Sequence, residues 1–380
     1  MKPISHSLKI NFSRRNFLKT AGKTALAVPL LLDFPHPMVA SAFVPQASEA
    51  MYYEKLAEKK IKCRLCPHEC QVADLERGSC GVRENRDGIY YSLVYGQPCA
   101  VHIDPIEKKP LFHFHPGSQA FSLATAGCNF SCRFCQNWEI SQRRPEQVQA
   151  VRMPPEAVLR QAQKQACPII AHTYSEPVIF FEYMRACAAL GKEKGIANVM
   201  ISNGFIQKKP LQELCRLLAA VKIDLKAFTE SFYQEQCGGR LKPVLDTLLT
   251  LRSEKIWFEI VVLLIPGLND SRQEIERMGR WIVRELGSDV PLHFSRYSPT
   301  FMIKNIPPTP AETLHMARQV AQNIGIKFCY IGNLLSEAGN TFCPSCGKLL
   351  INRQMYNIEK PGLNGNRCCF CQTVIPGVFV

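Results

Sequence analysis

Between residues 121 and 324, six short apolar runs rich in β-branched residues alternate with six segments of helical period. This alternation predicts an α/β chain whose core is a (βα)6 partial TIM barrel. A cysteine-rich stretch before that core predicts an N-terminal metal-binding segment, and a second one after it predicts a C-terminal zinc-ribbon-like knuckle. The strand-like runs fall at 121–125, 168–173, 197–202, 221–225, 257–264 and 291–295. The helical segments fall at 155–166, 178–194, 210–219, 241–253, 271–286 and 311–324. Repeated βα units require a parallel sheet with right-handed crossovers, and six of them fall short of the eight that close a full barrel. The expected division is a leader at 1–42, a linker at 43–62, a cysteine-rich segment at 63–120, the barrel at 121–335 and the C-terminal module at 336–380.

A chain of 380 residues, 46% of them hydrophobic, has ample material for a large core with appended modules. Of its 18 cysteines, more than half fall in C-x2-C and C-x3-C clusters, which points to metal ligation more than to a disulfide framework. The formal charge of +14 invites a nucleic-acid reading, but residues 1–42 alone hold six Lys/Arg against one acid. Thiolate metal sites would remove most of the remainder, and no basic stripe interleaved with aromatics is present, so nucleic acid is not an expected partner.

The N-terminus reads Ser13-Arg14-Arg15-Asn16-Phe17-Leu18-Lys19, then an apolar run at 25–32 and the small-residue site Ala40-Ser41-Ala42. This is the pattern of a twin-arginine signal peptide, which predicts export of the folded protein to the periplasm. The apolar run is too short for a stable membrane span. A polar, helix-prone linker over 48–60 follows. Then Cys63, Cys66, Cys70 and Cys80, with Pro67, Gly78 and Gly81 between them, form a self-contained knuckle that suits tetrahedral zinc or an auxiliary iron–sulfur cluster. The charged stretch Asp104-Pro105-Ile106-Glu107-Lys108-Lys109-Pro110-Leu111 reads as a solvated turn more readily than as a substrate contact.

The first barrel run leads into Ala126-Gly127-Cys128-Asn129-Phe130-Ser131-Cys132-Arg133-Phe134-Cys135-Gln136-Asn137-Trp138. Cys128, Cys132 and Cys135 have the spacing C-x3-C-x2-C, and the loop offers no fourth cysteine. Structural zinc wants four closed ligands, and electron-transfer clusters usually take four thiolates. Three thiolates on a [4Fe–4S] cluster leave one iron open for a substrate. The residues also admit a three-cysteine zinc site completed by His113 or His115. The spacing, with the aromatic Phe134 before the last cysteine, resembles the radical S-adenosylmethionine (SAM) superfamily, whose core fold is the same partial barrel. The segments Cys63-x2-Cys66-Pro67-His68-x-Cys70, 104–111 and Cys135-Gln136-Asn137-Trp138-Glu139-Ile140, with the two C-terminal cysteine knuckles, resemble more narrowly the radical SAM enzymes of the AmmeMemoRadiSam system, which are similar to the activating enzymes of pyruvate formate-lyase and other glycyl-radical enzymes.

The resemblance implies a [4Fe–4S] cluster that reductively cleaves SAM to a 5′-deoxyadenosyl radical, which abstracts hydrogen from a substrate. It also implies a reductant and a protein substrate or partner from the same system. SAM and low-potential donors are cytoplasmic, which keeps cytoplasmic residence as the alternative to export.

Barrel enzymes work at the C-terminal ends of their strands, so polar residues are expected there. The second run ends in Tyr174-Ser175-Glu176, where the family carries a Gly-Gly-Glu type motif for the SAM amine; only the carboxylate carries over, and a helix-start acid is the plainer reading of Glu176. The third ends in Ser202-Asn203-Gly204, a turn able to face a ribose. The fourth carries Asp224 and Lys226 on one strand face; in the activating enzymes a matching pair sits against SAM, and by itself it reads as a strand-end ion pair. Phe134 is expected near the adenine, while His293 and Cys237 read as core residues. At the C-terminus Cys343, Cys346, Cys368 and Cys371 have zinc-ribbon spacing, with Cys369 a possible substitute for Cys368. The rival to radical chemistry is an iron–sulfur or zinc electron carrier or metal scaffold, which has no use for Glu176, Asp224 and Lys226 beside the cysteine loop.

Overall fold

The computed structural model describes residues 47–354 and 356–379; the twin-arginine segment lies outside the described residues. Among them, no helix is long and apolar enough to cross a membrane. The core is an eight-stranded sheet of β1 (Ala100–Pro105), β2 (Gln119–Ala124), β3 (Ile169–His172), β4 (Ala197–Ser202), β5 (Ala220–Asp224), β6 (Trp257–Leu264), β7 (Leu292–Arg296) and β8 (Cys329–Gly332). Neighbours in the sheet are neighbours in sequence, so every crossover steps the same way and the sheet forms the wall of an open barrel. Strands β2 to β8 run parallel, while β1 pairs antiparallel with β2.

The crossover helices are α1 (Pro155–Lys164), α2 (Phe181–Glu193), α3 (Lys208–Cys215), α4 (Leu241–Ser253), α5 (Arg272–Glu285) and α6 (Ala311–Ile324). Six βα units therefore stand as expected, with two strands added. The closing strand β8 is only Cys329-Tyr330-Ile331-Gly332, too short for a periodic signal, and β1 carries His102, Asp104 and Pro105, which break one. Their pairing partners, not their own composition, make them strands.

The expected helix-prone linker at 48–60 is corrected. Ser48–Glu49 pairs with Ile89–Ser92, and Tyr53–Lys55 pairs with Ile61–Cys63. Tyr52 packs its ring edge-on against Phe181 of α2 at 5.2 Å, so tertiary contact overrides the local propensity. The N-terminal segment is fastened to the barrel by Arg83, which is 1% exposed. Its guanidinium forks onto both carboxylate oxygens of Glu182 on α2 and donates to the carbonyls of Ile179 (3.2 Å) and Met51 (3.3 Å).

The C-terminal module is built on Thr341–Phe342, Leu349–Gln354 and Asn357–Glu359, an antiparallel sheet. It closes the end of the barrel where the parallel strands begin. There the buried Glu259 accepts from the backbone N–H groups of Phe112 (3.0 Å) and His113 (2.7 Å) and pairs with His293 Nε2 at 2.7 Å. Arg353 of the module lies over the Phe112 ring and donates to the Phe112 carbonyl at 2.7 Å. His113 hydrogen-bonds with Tyr330 and the Pro376 carbonyl, so it belongs to this plug and not beside the cysteine loop. His115 is likewise tied here, donating its backbone N–H to the Val378 carbonyl.

Replacing Glu182 by Ala leaves Arg83 buried without its counter-charge and is expected to cost about 3–5 kcal/mol of stability. Arg86→Ala removes a surface pair with Glu84 and is expected to cost no more than about 1 kcal/mol. Urea denaturation of the two variants, read side by side, checks the contrast.

Candidate active site

The loop after β2 has little regular structure, so its shape is imposed by neighbours. The backbone N–H of Ser131 donates to the Cys237 carbonyl at 2.8 Å and that of Arg133 to the Gln236 carbonyl at 3.0 Å. A side chain at Gly239 would sit 2.2 Å from the Phe130 ring, so the Cys237-Gly238-Gly239 turn lies directly against the loop. On the other side Gly127, at φ +90°, has the Cys80 carbonyl and Val82 where a Cβ would be, at 2.8 and 2.5 Å. Cys237 is thus a buried residue whose backbone carries the loop, and its thiol hydrogen-bonds with Cys132.

Cys128, Cys132 and Cys135 all line one cavity of about 480 Å³. Phe134, Tyr174, Ser175, Glu176, Asn203, Asp224 and Lys226 line the same cavity, so the residues singled out on four different strand ends converge. Phe134 packs against Phe232 at 5.7 Å. Ser175 Oγ donates to the Thr125 carbonyl at 2.8 Å and ties β2 to the turn after β3. Ser202 stands behind Glu176: its hydroxyl donates to Glu176 Oε1 at 2.7 Å, while the Asn203 backbone donates to Oε2 at 2.8 Å. The Val178 N–H adds a third bond at 3.1 Å, so Glu176 is also the helix-start acceptor that its position suggested. Burial pushes its carboxyl up to about 7 despite these donors.

Asp224 accepts from Lys222 and, at 3.0 Å, from Lys226. Burial disfavours its charge, but the two ammonium groups overcome that and hold the carboxyl at about 2. The Cys237 hydrogen bond lowers the Cys132 thiol, burial opposes this, and the Lys226 charge adds to the lowering. Burial pushes the Cys128 thiol well up. The donor set fits a cluster bound through three thiolates: the thiols share one cavity, an ammonium stands beside Cys132, and a carboxylate-rich rim lies next to them.

The expectation of a solvated turn at 104–111 is corrected. Asp104, Glu107, Lys109 and Leu111 are all buried. Asp104 binds Lys108 at 2.7 Å and Lys109 at 2.6 Å and accepts from the Tyr174 hydroxyl; Lys109 lies 4.3 Å over the Tyr174 ring. Tyr174 reaches across because its backbone is left-handed, at φ 64°. Lys108, Lys109 and Lys222 line the cavity and were missed. The available signal was the alternation Lys222, Asp224, Lys226 on one strand face.

Cys343, Cys346, Cys368 and Cys371 are, among the described residues, the one group of potential metal ligands whose donor atoms all lie within 4.8 Å. Cys343 and Cys371 are 3.5 Å apart and Cys346 and Cys368 3.7 Å apart. Tetrahedral thiolate bonds of about 2.3 Å place sulfurs roughly 3.8 Å from each other, so the site is ready for a metal ion. Cys369 is exposed and outside the group. In the N-terminal knuckle, burial raises the Cys66 and Cys80 thiols, and the charges of neighbouring cysteines of the same knuckle add to it. Cys63 and Cys66 are buried, Cys70 and Cys80 partly so.

Cys371→Ser is expected to lose a single bound metal ion per chain, measured by elemental analysis of the purified protein. Burial disfavours the charged Asp104 carboxylate, but bonds from Lys108, Lys109 and Tyr174 hold its carboxyl below the ordinary range. Its contribution to stability is therefore present above the unfolded value of about 4 and lost as the pH falls through the folded one. Asp104→Asn is expected to lower the urea midpoint at neutral pH, with the gap to wild type closing below about pH 4.

An uncharacterized protein of Methanocaldococcus jannaschii is 44% identical over 326 residues, which is 85% of this chain and 97% of that protein. A second uncharacterized protein of the same organism is 25% identical over 289 residues, 70% of this chain and 76% of its own length. Among solved structures, a domain of the pyruvate-formate lyase-activating enzyme from Bacteroides vulgatus aligns at 16% identity and TM-score 0.38, covering 43% of this chain and 98% of that one. A radical SAM methyltransferase from Sphaerobacter thermophilus aligns at 15% identity and TM-score 0.46, covering 62% and 71%. Residues 122–282, which hold the three-cysteine loop and the strand ends that converge on it, match the Radical SAM superfamily, and the chain belongs to that superfamily.

Proposed function

We propose that this cavity binds a [4Fe–4S] cluster through Cys128, Cys132 and Cys135 together with SAM, and that it abstracts hydrogen from a substrate presented by a protein partner of the AmmeMemoRadiSam system, in the manner of a glycyl-radical activating enzyme. The observation that carries the reading is the convergence of three thiols, Glu176 and the Asp224–Lys226 pair on one cavity. When bound, the cluster supplies the electron that cleaves SAM to methionine and a 5′-deoxyadenosyl radical.

The chain's own residues do the positioning. Glu176, its two oxygens fixed by Ser202 and Asn203, is a rigid acceptor for the SAM ammonium. Asp224, held ionised by two lysines, presents a second fixed charge. Phe134, backed by Phe232, offers an aromatic face to the adenine. Ile201, Val261 and Leu263 make the wall apolar and keep water from the reacting atoms. In the same reading the four C-terminal thiols hold zinc, the N-terminal knuckle holds zinc or an auxiliary cluster, and the twin-arginine segment exports the loaded protein.

The test is anaerobic. The mature chain is reconstituted with iron and sulfide, reduced, given SAM and assayed for 5′-deoxyadenosine. Product is expected from wild type and none from Cys132→Ala. Glu176→Gln is expected to keep the reduced-cluster EPR signal while weakening SAM binding by about tenfold or more. A wild-type protein whose EPR signal ignores SAM and which makes no product is an electron carrier or scaffold instead.

A further inference from the structure

The cavity continues inward beyond the residues assigned to SAM. Lys222 precedes Asp224 by two residues on the same face of β5, so its Cα lies about 7 Å deeper along the strand, and its side chain rises from there to bring the ammonium to Asp224. Lys109 enters the same cavity from the segment after β1 and is close enough to feel the Lys222 charge. Both side chains are almost wholly buried, at 2% and 6% exposure. Burial pushes the Lys109 ammonium down to about 8, although Asp104 opposes this.

The carboxylates whose charges act on them, Asp104, Asp224 and Glu176, are already committed, as is Glu259 beside Lys222 in the sheet. Asp104 accepts from Lys108, Lys109 and Tyr174, and Asp224 from Lys222 and Lys226. Glu259, the partner of Lys222 in register, accepts from Phe112, His113, Trp257 and His293. Glu176 is held by Ser202, Asn203 and Val178. An ammonium has three donors, and Lys109 and Lys222 each spend one on their aspartate. Two buried cations with donors to spare and apolar walls at Ile201, Val261 and Leu263 make a poor home for neutral groups and a good one for a compact anion.

We propose that Lys109 and Lys222, with Lys108 at the rim, form an anion subsite that holds a carboxylate or phosphate group of the substrate inside the barrel, deeper than SAM. The subsite deepens the radical SAM reading of this cavity and rests on it. It specifies a substrate whose reacting carbon lies beside an oxyanion: the anion anchors at the inner end, and the carbon points back toward the strand ends.

The test uses the reconstituted, cluster-bearing protein with SAM, titrated calorimetrically with sodium phosphate and separately with sodium acetate in an otherwise oxyanion-free buffer. Saturable binding of one probe to wild type is expected. The double variant Asp104→Asn, Lys109→Gln removes both charges while keeping a hydrogen-bonded pair, and is expected to bind that probe about ten- to hundredfold more weakly. Preference for phosphate or for acetate assigns the group. Equal binding by the double variant, or no binding of either anion to wild type, overturns the subsite.

Amine-directed acylation of wild type, read by mass spectrometry, guards against a variant that misfolds. The bound anion is expected to protect Lys108, which is half-exposed at the rim, and unchanged labelling of Lys108 overturns the proposal. If the anion protects Lys108 but SAM leaves the EPR signal unaltered, the subsite stands and the SAM assignment of the cavity falls. If SAM alters the signal and neither anion binds, the assignment stands and the subsite falls.

Discussion

The cysteine loop after β2 must point three thiols into one cavity without a helix or strand to hold them. Its shape is therefore borrowed. The Cys237-Gly238-Gly239 turn supplies backbone acceptors on one side, and the N-terminal segment presses Val82 and the Cys80 carbonyl against Gly127 on the other. Both contacts need a backbone with no side chain at the point of approach. The N-terminal cysteine-rich segment and the barrel turn are thus parts of the candidate site, although neither carries a residue expected to touch SAM.

Charge organises the interior in a comparable way. Asp104, buried, and Asp224, partly exposed to the cavity, are carboxylates each fixed between lysines, and Lys226 brings a positive charge beside Cys132. A thiolate-bound cluster is anionic, and an ammonium in a low-dielectric setting offsets that charge more effectively than water at the same distance. At the opposite end of the strands, Glu259, His113, His293, Tyr330 and Arg353 form a second polar network that joins the C-terminal module to the barrel. The two networks serve different ends: one faces a cavity, and the other is closed on itself and plugs the barrel.

The pair Glu176 and Ser202–Asn203 shows how the rim of the candidate site is made rigid. Read singly, each had a plain alternative as a helix-start acid or a turn residue. The structure joins them, because the carboxylate accepts from both the serine hydroxyl and the asparagine N–H while also capping the turn at Val178. Structural and positioning roles coincide in one group, as a fixed acceptor in a buried rim requires.

The six βα units were legible in the chain because strands covered on both faces must be continuous apolar runs and their helices must keep a 3.6 period. The three cysteines were legible because their spacing lies within one loop, and the C-terminal four because two knuckles carry their own turns. What the sequence could not state was anything set by partners distant in the chain. Strands β1 and β8 exist through pairing, Ser48–Glu49 and Tyr53–Lys55 are strands because they pair with Ile89–Ser92 and Ile61–Cys63 while Tyr52 packs on α2, and Asp104 and Lys109 are buried because Tyr174 folds over them. Charged residues in a short stretch look solvated until a remote side chain covers them, and only the tertiary structure brings that cover into place.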